Sequence, residues 1–318
     1  MNHEIILSIA IPTYNRAELL KQTLKSVIDQ KQDGVEIIVS DNASTDHTSD
    51  ILKEYVECGL IKYYRNSTNV GMDGNFLNLL EKADGKYVQF LSDDDVLLPG
   101  AVCKVLDIIE KEKPDYIHLN SYTYNTKKFN TRSAIKSRIT LKEDLVTCDK
   151  KEYMDLIGIY ITFLSSTIIK RENFLEIRRP EKFSGTYFMH AHVTLTTLEG
   201  NHKKVIITKK ALVAAKGNNT GGYNLYEVWV KQYKRLLLVT AVKSGFEKKY
   251  MEKMFVNDMK GTIRDFIFLF RISDNSFDLK NRSILVQYTL QYPGIWIKTY
   301  PVAFLPPYIL HKFERYYK

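Results

Sequence analysis

Ile5 to Ile11 is an apolar, largely β-branched run, preceded by the polar Asn2 to Glu4 and closed by Pro12, and it predicts a buried strand. From Arg16 to Asp29 the apolar residues Leu19, Leu20, Leu24, Val27 and Ile28 recur at helical spacing. Glu36 to Ser40 is the next short apolar strand. Asp46 to Tyr55 reads as a helix, because Asn42 to Asp46 is a cluster of residue types that cap helix starts. Ile61 to Tyr64 predicts a third strand, Gly74 to Lys82 a helix carrying Phe76, Leu79 and Leu80, and Tyr87 to Leu91 a fourth strand. Pro99 to Lys111 follows as a helix whose proline suits the first turn. Short apolar strands alternating with helices predict an α/β fold: a Rossmann-like, mostly parallel sheet with helices on both faces.

Beyond about Tyr122 the pattern changes. Tyr122 to Thr147 is rich in Lys, Arg, Thr and Asn without a sustained period and predicts a loop or lid. A helix near Lys151 to Ile157, a strand at Ser166 to Ile169, a helix near Tyr187 to Leu198 and a strand at Lys204 to Thr208 follow. Leu225 to Lys243 and Tyr250 to Phe270 are long helical patterns, so the reading divides the chain into 1–120, 121–222 and a helical region 223–318. No internal repeat is present.

The 318 residues, 44% hydrophobic and 12% aromatic, are enough for a large core and argue against disorder. The 46 Lys+Arg against 37 Asp+Glu, a formal +9, favour phosphate-rich partners or an anionic membrane surface. Without zinc-finger spacing, an RNP-like strand or a basic heptad region, nucleic acid is not an expected partner. Cys58, Cys103 and Cys148 offer no CxxC pair, which excludes a disulfide scaffold and suits a reducing compartment. The first apolar run is too short and wrongly flanked for a signal peptide. No stretch reaches the roughly 18 to 20 apolar residues of a spanning helix, so a soluble or peripheral protein is expected.

The strongest chemical signal is Ser92-Asp93-Asp94-Asp95 directly after a strand. Adjacent carboxylates there repel one another unless a cation sits among them, and oxygen ligands select Mg²⁺ or Mn²⁺. Pro12 to Arg16, Asp41-Asn42 and Arg65 to Gly71 follow the first three strands and converge on the same edge, where open α/β sheets bind ligands. A dehydrogenase is disfavoured, since no GxGxxG follows the first strand.

In the stretches IPTYNRAELLKQTLKSV, IIVSDNASTDHT and NVGMDGNFLNLLEKADGKYVQFLSDDDVLLPGAV, residues 4 to 110 resemble the family 2 glycosyltransferases of GT-A fold. The resemblance implies an inverting, metal-dependent transfer of a sugar from a nucleoside diphosphate, UDP favoured, to a saccharide or lipid-linked saccharide. It implies that Pro12, Thr13 and Tyr14 line the nucleoside pocket and that Asp41 accepts a hydrogen bond from the base. Asp93 would lie near ribose or sugar hydroxyls, and Asp95, with Asp93, would hold Mn²⁺ or Mg²⁺ on the diphosphate. Arg16, Asn69, Gly71 and Asp94 belong to the same donor-binding loops. Many members read L-D-x-D-D where this chain has Leu91-Ser92-Asp93-Asp94-Asp95, which leaves open which two of the three carboxylates act. The variant looks like the abequosyltransferase-like branch of bacterial surface polysaccharide enzymes.

Inversion needs a base for the acceptor hydroxyl, and members of the family carry an Asp for it at a helix start about a hundred residues after the metal motif. Gly185 to His192 has no carboxylate there, so His190 is the first candidate and His192 the second, with Asp155 or another carboxylate from elsewhere as the alternative. Lys216 to Gly222 is a glycine-rich loop in which Lys216 and Asn218 are placed to meet the diphosphate. From Tyr292 onward aromatic residues alternate with cations, which suits a membrane interface at the inner face of the cell membrane, packing on the catalytic domain, or an oligomer contact. A nucleotidyltransferase and a non-catalytic carbohydrate-binding protein are the rival readings.

Overall fold

The computed structural model describes residues 4–124, 139–200, 203–217, 223–273 and 277–316. They form two compact units, Met1–Gly185 with Met189–Asn219, and Thr186–Phe188 with Thr220–Lys318.

The first unit alternates strand and helix: β1 (Leu7–Thr13), α1 (Ala17–Ile28), β2 (Val35–Asp41), α2 (Thr48–Glu57), β3 (Lys62–Arg65), α3 (Gly71–Lys82) and β4 (Tyr87–Phe90). β5 (Val96–Leu97), α4 (Ala101–Glu112), β6 (Tyr116–Tyr124), β7 (Leu145–Cys148) and α5 (Lys150–Ile157) follow. β8 (Thr167–Lys170), α6 (Arg171–Leu175), α7 (Met189–Thr197) and β9 (Val205–Lys216) complete it. The sheet order is β3-β2-β1-β4-β8-β6-β9-β5, with β7 on β9. Leu7, Ile9 and Ile11 of β1 are fully buried with Leu20, Leu24 and Val27 of α1, which is why the first run is apolar but for the buried Ser8 while the helix alternates at a longer period.

The sheet is parallel only in part. β3, β2, β1 and β4 run parallel, as do β6 and β9, but β8 is antiparallel to both β4 and β6, and β5 and β7 are antiparallel to β9. The expected α/β sheet is present, and its antiparallel pairings all lie beyond β4: a fully buried apolar run shows that a strand has neighbours, not which way they point. β9 is also longer than its apolar start suggests, because the exposed Lys209 and Lys210 interrupt the run while β6 and β9 shift register around Asn120. The stretch read as a loop from Tyr122 to Thr147 holds the end of β6 and the strand β7; its residues 125–138 lie outside the described residues.

The second unit is helical. Residues 225–243 wind as one helix in which π turns at Glu227–Gln232 and Leu236–Ala241 flank α8 (Tyr233–Arg235). The pattern from Tyr250 to Phe270 is two helices, α9 (Lys248–Lys260) and α10 (Thr262–Ile272), divided at Gly261. α11 (Leu279–Thr289), α12 (Pro293–Lys298), α13 (Tyr300–Phe304) and α14 (Pro307–Leu310) follow. α12 packs on α9, and α13 and α14 pack on α10, burying Ile295, Ala303 and Leu310. Among the described residues no helix is long and apolar enough to cross a membrane.

Candidate active site

Asp93, Asp94 and Asp95 leave the end of β4, and all three are buried. Asp93 Oδ2 accepts a hydrogen bond from Thr13 Oγ1 at 2.8 Å, and Asp93 Oδ1 lies 3.1 Å from Arg16 Nη1. The same guanidinium nitrogen stands 3.4 Å from Asp94 Oδ2, while Ser92 Oγ donates to Asp94 Oδ1 at 2.6 Å. Asp95 ties down two distant segments: Ser165 Oγ donates to its Oδ2 at 2.5 Å and the Lys216 N–H to its Oδ1 at 2.7 Å. Burial pushes the Asp93 carboxyl up to about 6, Arg16 opposes the rise and Asp94 adds to it. β5, paired with β9 just after the triplet, and Tyr124 OH, which donates to the Asp94 carbonyl at 2.9 Å, hold this turn in place.

Three loops meet at the same edge. Asn15, held at a φ of 53°, accepts from the Thr45 N–H at 2.7 Å through Oδ1, and its own N–H donates to Ser44 Oγ at 2.9 Å, so the first two loops are knitted together. Tyr14 beside it is exposed. Asp41 is fully buried: Oδ1 accepts from the Ser44 N–H and Oδ2 from Tyr63 OH, each at 2.8 Å, with Arg65 Nε 3.8 Å away. Asn69 Oδ1 accepts from Asn42 Nδ2 at 2.8 Å and from the Gly71 N–H at 2.9 Å. Gly71 has a φ of 79°, a conformation that favours glycine at the start of α3. The structure thus brings together Pro12, Thr13, Tyr14, Arg16, Asp41, Asn69, Gly71, the triplet and Lys216. Asn218 lies outside the described residues.

The start of α7 is separate in construction. His190 is buried, its Nε2–H donates to the Thr162 carbonyl at 2.9 Å, and burial lowers its pKa to about 4. His192 is fully buried with its ring stacked on Phe183 at 4.8 Å. Asp155 is half-exposed on α5 and pairs with Lys151 at 3.0 Å. The carboxylate that does reach α7 is Asp73 of α3, whose Oδ1 accepts from the Met189 N–H at 3.4 Å. The sequence pattern included Arg65 in its third loop but left out Asp73, Tyr63 and Ser165. An acid in the first turn of a helix reads as dipole complementation, and the other two carry no spacing signal at all.

Among the described residues no group of three His, Cys, Asp or Glu is placed to hold a metal ion. The donors present are carboxylate oxygens, which fits a hard cation of the kind that takes one or two protein carboxylates and fills its remaining positions with phosphate oxygens and water.

The description Glycosyl transferase family 2 matches residues 8–177. The chain belongs to this family. It is 28% identical over 227 residues to the abequosyltransferase RfbV of Salmonella typhimurium, a match covering 68% of each chain. It is 30% identical over 174 residues to the GalNAc(5)-diNAcBac-PP-undecaprenol beta-1,3-glucosyltransferase of Campylobacter jejuni, covering 54% of this chain and 55% of that one. The chain therefore spans about two thirds of the first relative and about half of the second. S. aureus TarS 1-349 in complex with UDP-GlcNAc superposes with a TM-score of 0.65 at 16% identity, over 98% of this chain and 88% of that one. The mannosyltransferase PcManGT from Pyrobaculum calidifontis, in complex with GDP-Man and Mn²⁺, gives 0.53 at 13% identity, over 97% and 87%. As a family 2 member of the abequosyltransferase-like branch, the chain is a glycosyltransferase of GT-A fold.

Proposed function

We propose that this glycosyltransferase is inverting and metal-dependent, and that it moves a sugar from a nucleoside-diphosphate sugar, UDP favoured, to a saccharide or lipid-linked saccharide in bacterial surface polysaccharide assembly. The observation that carries the reading is the buried Asp93 to Asp95 turn at the carboxyl edge of β4, flanked by the loops after β1 and β2. UDP is supported by its presence with TarS, and a lipid-linked acceptor by the PP-undecaprenol in the name of the Campylobacter relative. Residues 1–120 take the donor, 121–222 face the acceptor, and 223–318 supply the helical region.

Pro12, Thr13 and Tyr14 receive the nucleoside, and Asp41 shapes the pocket for the base from within, through Ser44 and Tyr63. Asp95, with Asp93, would hold Mn²⁺ or Mg²⁺, which when bound neutralises charge on the leaving diphosphate. Arg16 brings fixed positive charge to the same edge, Lys216 reaches Asp95 through its backbone N–H, and Asn218 is assigned to the same loop. The acceptor hydroxyl loses its proton at the start of α7, where His190 and His192 lie and Asp73 enters.

Attachment to the inner face of the cell membrane is supported by the exposed Trp296, Ile297, Phe304 and Tyr308, which stand with Lys298 and Lys312 in a stretch that has no acidic residue from Leu279 to Phe313. The test is a screen of UDP-, dTDP-, GDP- and CDP-sugars with Mn²⁺, Mg²⁺ or EDTA, reading nucleoside diphosphate release and the anomeric configuration of the product. Release that survives EDTA sinks the metal assignment, and a retained configuration sinks inversion.

A further inference from the structure

An inverting transfer needs a group that removes the acceptor proton as the new bond forms. Neither imidazole at the start of α7 is suited to it. His190 commits Nε2–H to the Thr162 carbonyl, and His192 is sealed beneath Phe183. The sequence of this stretch holds no carboxylate, yet the tertiary structure supplies one. Asp73, in the first turn of α3, accepts from the Met189 N–H, the first residue of α7, across 116 positions of chain. Its carboxylate thus stands at the N-termini of two helices, an environment that favours negative charge.

α3 also joins this point to the donor side. Two residues along, where the helix faces another direction, Asn75 accepts from Ser40 Oγ at 2.6 Å and from Asn66 Nδ2 at 3.0 Å, and its Nδ2 donates to the Ser40 carbonyl at 2.9 Å. One rigid element therefore joins the end of β2 and the loop after β3 to the start of α7. His190 packs beside the same helix, its ring 6.3 Å from Phe76.

We propose that Asp73 is the general base of the transfer. Its carboxylate takes the proton of the acceptor hydroxyl, the acceptor oxygen bonds to the anomeric carbon, and the bond from that carbon to the diphosphate oxygen breaks with its electron pair leaving on the diphosphate. The proposal rests on the inverting reading above, and it gives α3 two duties: Asn75 fixes the donor loops and Asp73 serves the acceptor.

Asp73→Asn separates this role from a structural one, because the amide Oδ1 still accepts from the Met189 N–H. The variant is expected to keep the wild-type melting temperature and UDP affinity, to lose turnover by about 10² to 10⁴, and to recover rate as pH rises and hydroxide takes over deprotonation. Asp73→Glu should restore part of the rate. His190→Gln, whose amide can still donate to the Thr162 carbonyl, should lose much less turnover than Asp73→Asn. Near-normal turnover in Asp73→Asn overturns the proposal, as does a fall in melting temperature or UDP affinity that accounts for the lost rate. Loss of turnover in His190→Gln as large as in Asp73→Asn, with stability and affinity unchanged, reassigns the base to the imidazole. If the wild-type protein releases no diphosphate from any nucleotide sugar, the failure belongs to the proposed function and not to Asp73.

Discussion

The loops at the carboxyl edge of β1, β2 and β4 take their functional groups from residues next to their own strands, whereas the start of α7 takes its carboxylate from α3, 116 positions away. In the first region, strand, loop and charge follow one another within a few residues, so local order and site coincide. In the second, the local residues are buried imidazoles with structural bonds, and the acid arrives through packing. A carboxylate missing from a familiar stretch of sequence is therefore not evidence that it is missing from the fold.

The comparison breaks most severely at Asp95. Asp95→Ala is expected to lower transfer by about 10² to 10³, the usual scale for losing one group that stabilises developing charge. It should also cost stability, about 1 to 3 kcal/mol for each buried donor left without its acceptor, because Ser165 and the Lys216 N–H both point at this carboxylate. The adjacency of three acids suggests the opposite, that removing one charge spares the fold. Thermal denaturation decides between them, and an unchanged melting temperature would show that the two bonds contribute nothing.

His190 sharpens the α7 side through pH. Its folded pKa of about 4 lies below the unfolded value of 6.5, so the unfolded chain binds more protons between these limits and acidification destabilises the protein. The loss is on the order of 3 kcal/mol as pH falls from 6.5 to 4, and it is fully avoided above 6.5. Urea unfolding of wild type and His190→Gln across that range should show this slope in the first and not in the second. Equal slopes would mean that the imidazole is protonated in the folded state.

A smaller effect is expected at Tyr63, whose hydroxyl holds Asp41 at 2.8 Å. Tyr63→Phe should raise the KM for the donor about tenfold, on the scale of 1.5 kcal/mol for a hydrogen bond to a charged group, with kcat near wild type. A fall in kcat at constant KM would place Asp41 in the chemistry rather than in binding. The smallest effect concerns the second unit. Deleting residues 292–318 would remove Ile295, Thr299, Ala303 and Leu310 from its core, so substitutions on the exposed side are the cleaner probe. Trp296→Ser with Ile297→Asp should weaken flotation with anionic phospholipid vesicles severalfold and leave the melting temperature unchanged. Flotation equal to wild type would remove the interfacial role.

Much of the first region can be read from residue order because its determinants are local. The apolar run of β1, the helical period of α1, the capping cluster before α2 and the acids after β4 each follow from residues a few positions apart, and each is where the pattern places it. The order of the loops at this edge and the family resemblance rest on the same short-range signals. Strand direction beyond β4 does not, since a buried apolar run reads alike in either sense, and β8 lies antiparallel between β4 and β6. Nor do the bonds from Ser165, Tyr63 and Lys216 into the site, or the arrival of Asp73 at α7, because a hydrogen bond across dozens of residues leaves no period or spacing behind. Sequence alone determined which segments form strands and helices and which loops carry acid. Only the tertiary structure decided which of those acids gather at the carboxyl edge of β4 and which reaches the start of α7, since that depends on how separate elements pack.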